Sequence, residues 1–249
     1  MTGGAPPAGY VRVIAGRSAV VTRHELVDDA RTLLAEGTLY EAAARDLAAR
    51  ALEGRGIVYV IALPVSGTRV VVRRNRHGGL FAPFTRDHFL PPTRAPHELD
   101  VALRLIAAGV RTPLVVMYGV ERVHTIFRRA DVATSEIVGG RDLATYMRHE
   151  ETPERRAEAW SAVRELVLAL NGAGARHHDL NVKNILLAPG TSALDAWVLD
   201  VDRVQFGAAN AAGVRLGNAA RLLRSARKWR DERGAVFDER ELAALNVPR

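Results

Sequence analysis

The stretch His177-His178-Asp179-Leu180-Asn181-Val182-Lys183-Asn184, continued by the apolar run Ile185-Leu186-Leu187, constrains this chain more than any other. It has the form H-x-D-L-x-x-x-N, and sixteen residues after Asn184 a second carboxylate, Asp200, stands within Trp197-Val198-Leu199-Asp200-Val201-Asp202. Asn184 and Asp200 each sit beside a short apolar run that reads as a buried strand anchoring them. Transfer of a phosphoryl group from a nucleotide to a hydroxyl needs these parts. One carboxylate orients the hydroxyl and takes its proton, while an Asn and a further Asp hold the metal ions that neutralise charge on the phosphates. Asp179 is the candidate base, and Asn184 and Asp200 are the candidate metal ligands. A lone His-x-Asp is equally the composition of a turn, and it is the whole set at this spacing that points to chemistry.

The chain has 249 residues and is 48% hydrophobic, enough for one large or two small packed lobes. No run approaches the roughly 18 apolar residues that span a bilayer, and Met1 to Tyr10 is Gly/Pro-rich without a basic-then-apolar signal pattern. A cytoplasmic protein is the expectation. There is no cysteine, which excludes disulfides and Cys-ligated zinc. Lys plus Arg at 35 against Asp plus Glu at 28 leaves a net charge of +7, which favours an anionic partner. Zinc-finger spacing and an aromatic-rich single-strand-binding pattern are both missing, so dedicated nucleic-acid binding is not expected.

Residues 1–53 read as an extension: a Gly/Pro tail, a short hairpin around Gly16, and helical spacing from Glu25 to about Leu52 with a break at Gly37. Gly54-Arg55-Gly56 then opens a hairpin, Ile57 to Ile61 and Thr68 to Arg74, turning at Ser66-Gly67. Gly54 and Gly56 could bring backbone N–H groups to phosphates, as a kinase glycine-rich loop does, although Gly-x-Gly is also an ordinary turn. Arg73 stands where a kinase strand carries its phosphate-binding Lys, and Arg keeps the charge while adding bulk and a two-pronged fork. Its candidate partner is Glu98, in a helix that starts after Pro96 and ends at Gly109; the alternative is a solvated Glu in the first turn. Residues His77 to Phe89 read as a loop that covers the site or meets the acceptor. Thr134 to Gly140 lies where the two lobes of a kinase join, with backbone around Glu136 and Val138 available to an adenine edge. Asp142 caps the next helix, and Pro153 to Leu170 forms the long helix supporting the catalytic loop. Arg215 to Arg230 carries six basic residues and no acid, with Leu222, Ala226 and Trp229 on a separate face. Such a helix rests on an anionic lipid surface, grips a phosphorylated acceptor, or is a solvated basic face.

Val70 to Leu80, with its basic-Gly-Gly-Leu ending, His177-x-Asp179-Leu180-Asn181-x-x-Asn184-Ile185-Leu186-Leu187, Leu199-Asp200-Val201-Asp202-Arg203 and Asn218-Ala219-Ala220-Arg221-Leu222-Leu223-Arg224-Ser225 together resemble the lipopolysaccharide kinases. Within them the likeness is to those acting on 3-deoxy-D-manno-octulosonic acid (Kdo). It covers roughly Gly54 to Lys228 and departs from the pattern at Val201, where an aromatic residue is frequent. The resemblance implies an α+β, two-lobed protein-kinase-like fold, with a small, mainly antiparallel β lobe over 54–140 and a short, mainly helical lobe over 141–249. It also implies an enzyme using ATP and Mg2+ to phosphorylate a sugar hydroxyl of Kdo-lipid A or a related anionic glycolipid, at the cytoplasmic face of the inner membrane. Carried over by position, Asp179 would be the base, Asn184 and Asp200 the metal ligands, Arg73 with Glu98 the phosphate-positioning pair, and Gly54 and Gly56 the phosphate loop. Two alternatives remain: a small-molecule or Ser/Thr protein kinase, and a nucleotide- or lipid-binding pseudokinase in which Arg73 has ended catalysis.

Overall fold

The computed structural model describes residues 4–52, 56–75, 89–91, 93–123, 126–149 and 152–240. Two compact units emerge, residues 1–100 with 114–136, and residues 101–113 with 137–249. The first is built on seven strands: β1 (Tyr10–Ala15), β2 (Ser18–Arg23), β3 (Arg50–Leu52), β4 (Val58–Ala62), β5 (Arg69–Arg74), β6 (Val115–Arg122) and β7 (Arg128–Ser135). They pair antiparallel in the order β1-β2-β6-β7-β5-β4-β3. The hairpin around Gly16 forms, and β2 joins it to the sheet by pairing Val20 with Gly119 of β6. Residues set apart by the sequence as an extension thus supply strands to the same sheet.

Helices α1 (Val27–Glu36) and α2 (Leu39–Arg45) pack on one face of that sheet. Leu26, Ala30, Leu33, Leu39, Ala42 and Ala43 meet Val20, Ile61, Val70, Val72 and Met117 in one apolar cluster. Each fully buried aliphatic side chain contributes roughly 1.5–3 kcal/mol, so this cluster is what holds the two helices to the sheet. The helical spacing read as far as Leu52 ends earlier in the structure, and Arg50–Leu52 is strand β3. Ala48 N–H turns to Asp46 Oδ1 at 2.8 Å instead of continuing the helix, and Leu47 is fully exposed, so the apolar stripe of α2 is not carried on past Arg45.

Period-two alternation along β5 sorts its residues. Val70 and Val72 enter the α1/α2 cluster, and Arg74 follows on their side, bonding Thr38 Oγ1 at 2.9 Å and Asp131 Oδ1 at 3.0 Å. Arg73, one residue out of step, is turned away from them and pairs with Glu98 of α3 (Ala95–Ala107).

The second unit contains α4 (Leu143–His149), α5 (Pro153–Gly172) and α6 (Ala212–Arg233). A three-stranded antiparallel sheet, in the order β11-β10-β8, comprises β8 (Arg141–Asp142), β10 (Ile185–Pro189) and β11 (Leu194–Val198). A second small ladder pairs β9 (Ala175–His177) with β12 (Val204–Phe206). Pro153 opens α5, where its missing N–H has no helical partner to lose. Trp160, Val163, Leu166, Val167 and Leu170 are buried along it. Gly174, at φ +66°, turns the chain from α5 into β9, and its carbonyl accepts from Gly207 N–H at 2.8 Å. A Cβ there would run into the Gly207 carbonyl oxygen, so this turn needs glycine. The expected mainly antiparallel first lobe and mainly helical second lobe are borne out, with the boundaries between them drawn differently.

Candidate active site

In the second unit the catalytic-loop residues hang between β9 and β10. Leu199 N–H donates to the Asn184 carbonyl at 2.9 Å, extending the β10/β11 ladder by one step past the Ile185–Val198 pair. Asn184 and Asp200 therefore leave the same end of this hairpin. The Asn184 amide nitrogen donates to the Asp179 carbonyl at 2.9 Å, and Asn181 Nδ2 donates to the same oxygen at 3.0 Å. Both lone pairs of that carbonyl are thereby used, which fixes the peptide bearing Asp179 and leaves Asn184 Oδ1 as the atom to offer a cation.

His177 is fully buried and ties the loop together. Asp179 N–H donates to its Nδ1 at 3.2 Å, so Nε2 carries the proton and donates to the Leu199 carbonyl at 3.0 Å. The neutral ring thus spans from the residue bearing the candidate base to the residue preceding Asp200. Burial pushes the imidazole pKa below its ordinary value, against the opposing pull of the Leu199 carbonyl and of Asp179, Asp200 and Asp202. Asp200 itself is exposed and left-handed, with φ 54° and ψ 50°, at the start of the 3-10 turn Val201–Arg203. Asp tolerates this region better than most residues, and such conformations concentrate at functional sites.

The donor set fits magnesium. Asn184 Oδ1 and the Asp200 carboxylate are hard oxygens, and magnesium is held by one or two such groups with waters and substrate phosphates completing its shell. Among the described residues no cluster of three or more His, Cys, Asp or Glu forms a self-sufficient metal cage.

Helix α6 clamps this loop from one face, a role that sequence reasoning missed. Asn218 is fully buried: its Oδ1 accepts from His177 N–H at 2.9 Å, and its Nδ2 donates to Asn171 Oδ1 at 3.0 Å and the Ala175 carbonyl at 2.9 Å. Three residues on, Arg221 donates from Nη2 to Asp179 Oδ1 at 2.7 Å. Four further on, Ser225 Oγ accepts from Val182 N–H at 3.2 Å. Positions i, i+3 and i+7 share one side of a helix, so a single face holds the loop before, at and after Asp179. The sequence carries it as the Asn-x-x-Arg-x-x-x-Ser spacing, inside the Asn218 to Ser225 stretch that shares in the family resemblance, and nothing in that stretch assigns the three polar residues to the loop.

In the first unit Arg73 Nη2 pairs with Glu98 Oε1, and Nη1 donates to Asn75 Oδ1 at 2.9 Å. Glu98 is buried and Arg73 half-buried, so the structure brings these two predicted residues together and the solvated alternative for Glu98 does not hold. Gly56 lies in the connection between β3 and β4, whose last pair is Leu52 with Val58. Gly54 lies outside the described residues, as does nearly all of the predicted loop from His77 to Phe89. The Glu136 carboxylate is taken by Arg50 at 2.8 Å and Arg69 at 2.9 Å, and the Arg69 hydrogen bond above all holds its pKa below the usual range. The Glu136 N–H is also used, donating to the Arg69 carbonyl at 3.2 Å. Val138 is three-quarters exposed.

The basic helix is less uniformly cationic than its sequence. Besides Arg221 on Asp179, Arg227 and Arg230 both pair with Glu239. Asp142 caps α4 through Thr145 N–H at 2.9 Å, as expected, and also receives Lys183 Nζ at 2.8 Å.

Known proteins are similar to this chain over most of its length. A 3-deoxy-D-manno-octulosonic acid kinase of Actinobacillus succinogenes is 30% identical over 192 residues, covering 75% of this chain and 78% of that one. The enzyme of the same name from Vibrio parahaemolyticus is 28% identical, covering 77% and 78%. Among solved structures, that of WaaP in complex with acyl carrier protein superimposes with a TM-score of 0.52, covering 92% of this chain and 99% of that one at 21% identity, a likeness of fold. The description of the lipopolysaccharide kinase (Kdo/WaaP) family matches residues 43–243, from within α2 to beyond the end of α6, and so takes in Arg73, Glu98, the catalytic loop and the helix that clamps it. By that match the chain belongs to the lipopolysaccharide kinase family.

Proposed function

We propose that this protein transfers the γ-phosphoryl group of ATP to a sugar hydroxyl of Kdo on a lipid A precursor. The observation that carries the reading is the tie between Asp179 and Asn184: a carboxylate and a hard oxygen donor are fixed to one peptide, while His177 links that peptide to the residue preceding Asp200. Asp179 Oδ2 would accept a hydrogen bond from the acceptor hydroxyl. The hydroxyl oxygen attacks the γ-phosphorus, the bond from phosphorus to the βγ-bridging oxygen breaks, ADP leaves, and the hydroxyl proton passes to Asp179. Asn184 Oδ1 and Asp200 would hold Mg2+, which neutralises charge on the phosphates. Arg73, steadied by Glu98 and Asn75, is the phosphate-positioning cation, and Gly56 with Gly54 the phosphate loop. Backbone at Glu136 and Val138 remains the proposed adenine contact, with the Glu136 carbonyl as its acceptor because its N–H is already bonded.

Such an acceptor lies in the cytoplasmic leaflet of the inner membrane. Among the described residues no helix is long and apolar enough to cross a membrane. Exposed Arg224 and Lys228 on α6 support peripheral contact with that anionic surface.

The test is transfer of labelled γ-phosphate from ATP with magnesium to a Kdo-bearing lipid A precursor, comparing wild type with Asp179→Asn. Removal of a positioned base lowers turnover by roughly 10²–10⁴-fold. Turnover in Asp179→Asn equal to wild type would remove Asp179 from the role of base, and transfer to free sugars in preference to the glycolipid would refute the acceptor.

A further inference from the structure

We propose that Arg221 recognises a carboxylate on the acceptor beside the hydroxyl that receives the phosphoryl group, so that this site selects an acidic sugar. The inference rests on the kinase reading above and deepens it.

Arg221 spends one N–H on Asp179 Oδ1, at 2.7 Å, and makes no other hydrogen bond or ion pair among the described residues. A guanidinium has five N–H donors, so most of its fork is open. Its side chain is 40% exposed and that of Asp179 36%. An ion pair this open adds only about 0–1 kcal/mol to folding, so stability does not account for a cation against the candidate base. Orienting Asp179 does not account for it either, because His177 and Asn184 already fix the peptide and a neutral donor would orient the carboxylate as well. A neutral donor would also compete less for the lone pairs that the acceptor hydroxyl needs.

The placement suits an acceptor that brings its own negative charge. A hydroxyl bound to Asp179 Oδ2 sits on the same carboxylate whose other oxygen holds Arg221, so a neighbouring group of that sugar is within reach of the open part of the guanidinium. A carboxylate a few carbons from that hydroxyl then meets two N–H groups at once, the geometry in which Arg outperforms any other side chain. Kdo, an octulosonic acid, carries such a group.

The same face of α6 continues the charge. Arg224 and Lys228 follow three and seven residues after Arg221, about 4.5 and 10.5 Å along the axis at ~1.5 Å per residue. Both are exposed, no ion pair of Arg224 forms among the described residues, and Lys228 has only Glu232 at 3.9 Å. Arg221 takes the carboxylate, and this lane lies beside further anionic groups of the same glycolipid.

The experiment measures kcat/KM for two acceptors, the Kdo-bearing lipid A precursor and its carboxamide, in which the carboxylate is neutral but nearly unchanged in shape. Wild type, Arg221→Gln and Arg221→Lys are compared, each first shown to melt cooperatively. Wild type is expected to lose about 10- to 100-fold on the carboxamide, the worth of a charge-assisted hydrogen bond. Arg221→Gln is expected to treat the two acceptors alike, and Arg221→Lys to recover part of the preference. A variant that slows equally on both acceptors while keeping the wild-type preference would overturn the proposal, leaving Arg221 a positioning residue for Asp179. Wild type transferring to neither acceptor would sink the kinase reading itself, an outcome distinct from transfer without preference.

Discussion

Replacing Asn218 with Ala removes a side chain that joins α5, β9 and α6 beneath the catalytic loop. Three hydrogen bonds go at once: the Oδ1 acceptor of His177 N–H, and the Nδ2 donor to Asn171 Oδ1 and the Ala175 carbonyl. All three partners belong to buried residues. A hydrogen bond contributes about 1 kcal/mol net, and a buried partner left unsatisfied costs about 1–3 kcal/mol, so a loss of roughly 3–5 kcal/mol is expected. For a chain of this size each kcal/mol lowers the midpoint by about 2–4 °C, so Asn218→Ala should melt roughly 6–20 °C below wild type. Ser225→Ala on the same face removes a single acceptor, that of Val182 N–H, and should cost about 1 kcal/mol. Circular dichroism melts of the three proteins, with urea titrations to check that the m-value holds, measure both. Because His177 N–H is the group freed, turnover of Asn218→Ala at a temperature where it remains folded should fall more than that of Ser225→Ala. A midpoint within 2 °C of wild type would refute the argument, showing that the three partners find water or each other when the amide is gone.

Two further outcomes follow from the same geometry. His177 is held neutral by burial, so protonation opposes the fold. Its folded pKa is below the ordinary 6.5, its stabilisation is fully present above that value, and it is lost as pH falls from 6.5 through the folded pKa; melting midpoints between pH 8 and 5 should decline on the acid side in wild type and flatten there in His177→Gln. Arg73→Lys keeps the charge but a single ammonium does not reproduce a fork engaging both Glu98 and Asn75, so kcat/KM for ATP should fall about tenfold, and a rise in activity would instead support the reading in which Arg73 has ended catalysis.

What was legible in the sequence shares a property: it is local, or repeats with a period. Asp179, Asn184 and Asp200 lie within 22 residues, and their tie is made by neighbouring backbone, so the spacing itself carries the geometry. Arg73 and Glu98 were legible because strand alternation and a helix start each aim one side chain, although 25 residues separate them. The strand Arg50–Leu52 was not legible, since three exposed residues with helix-compatible composition become a strand only by pairing with Val58, Tyr59 and Val60.

The clamp shows the deeper limit. Asn218, Arg221 and Ser225 meet His177, Asp179 and Val182 across 41, 42 and 43 residues, a nearly constant offset that no local pattern announces. Their spacing is helical, but periodicity locates an apolar stripe, and these three are polar. On such a helix a polar residue normally faces water; here Asn218 is completely buried because the chain it packs against has backbone groups to satisfy, the His177 N–H and the Ala175 carbonyl. The run of arginines concealed this further, since Arg221 differs from Arg224 only in what lies opposite it. The catalytic loop therefore depends on a helix whose function is set by tertiary position, and giving Arg224 the place of Arg221 would need no change in composition, only a three-residue shift in the register of α6, about 4.5 Å along its axis.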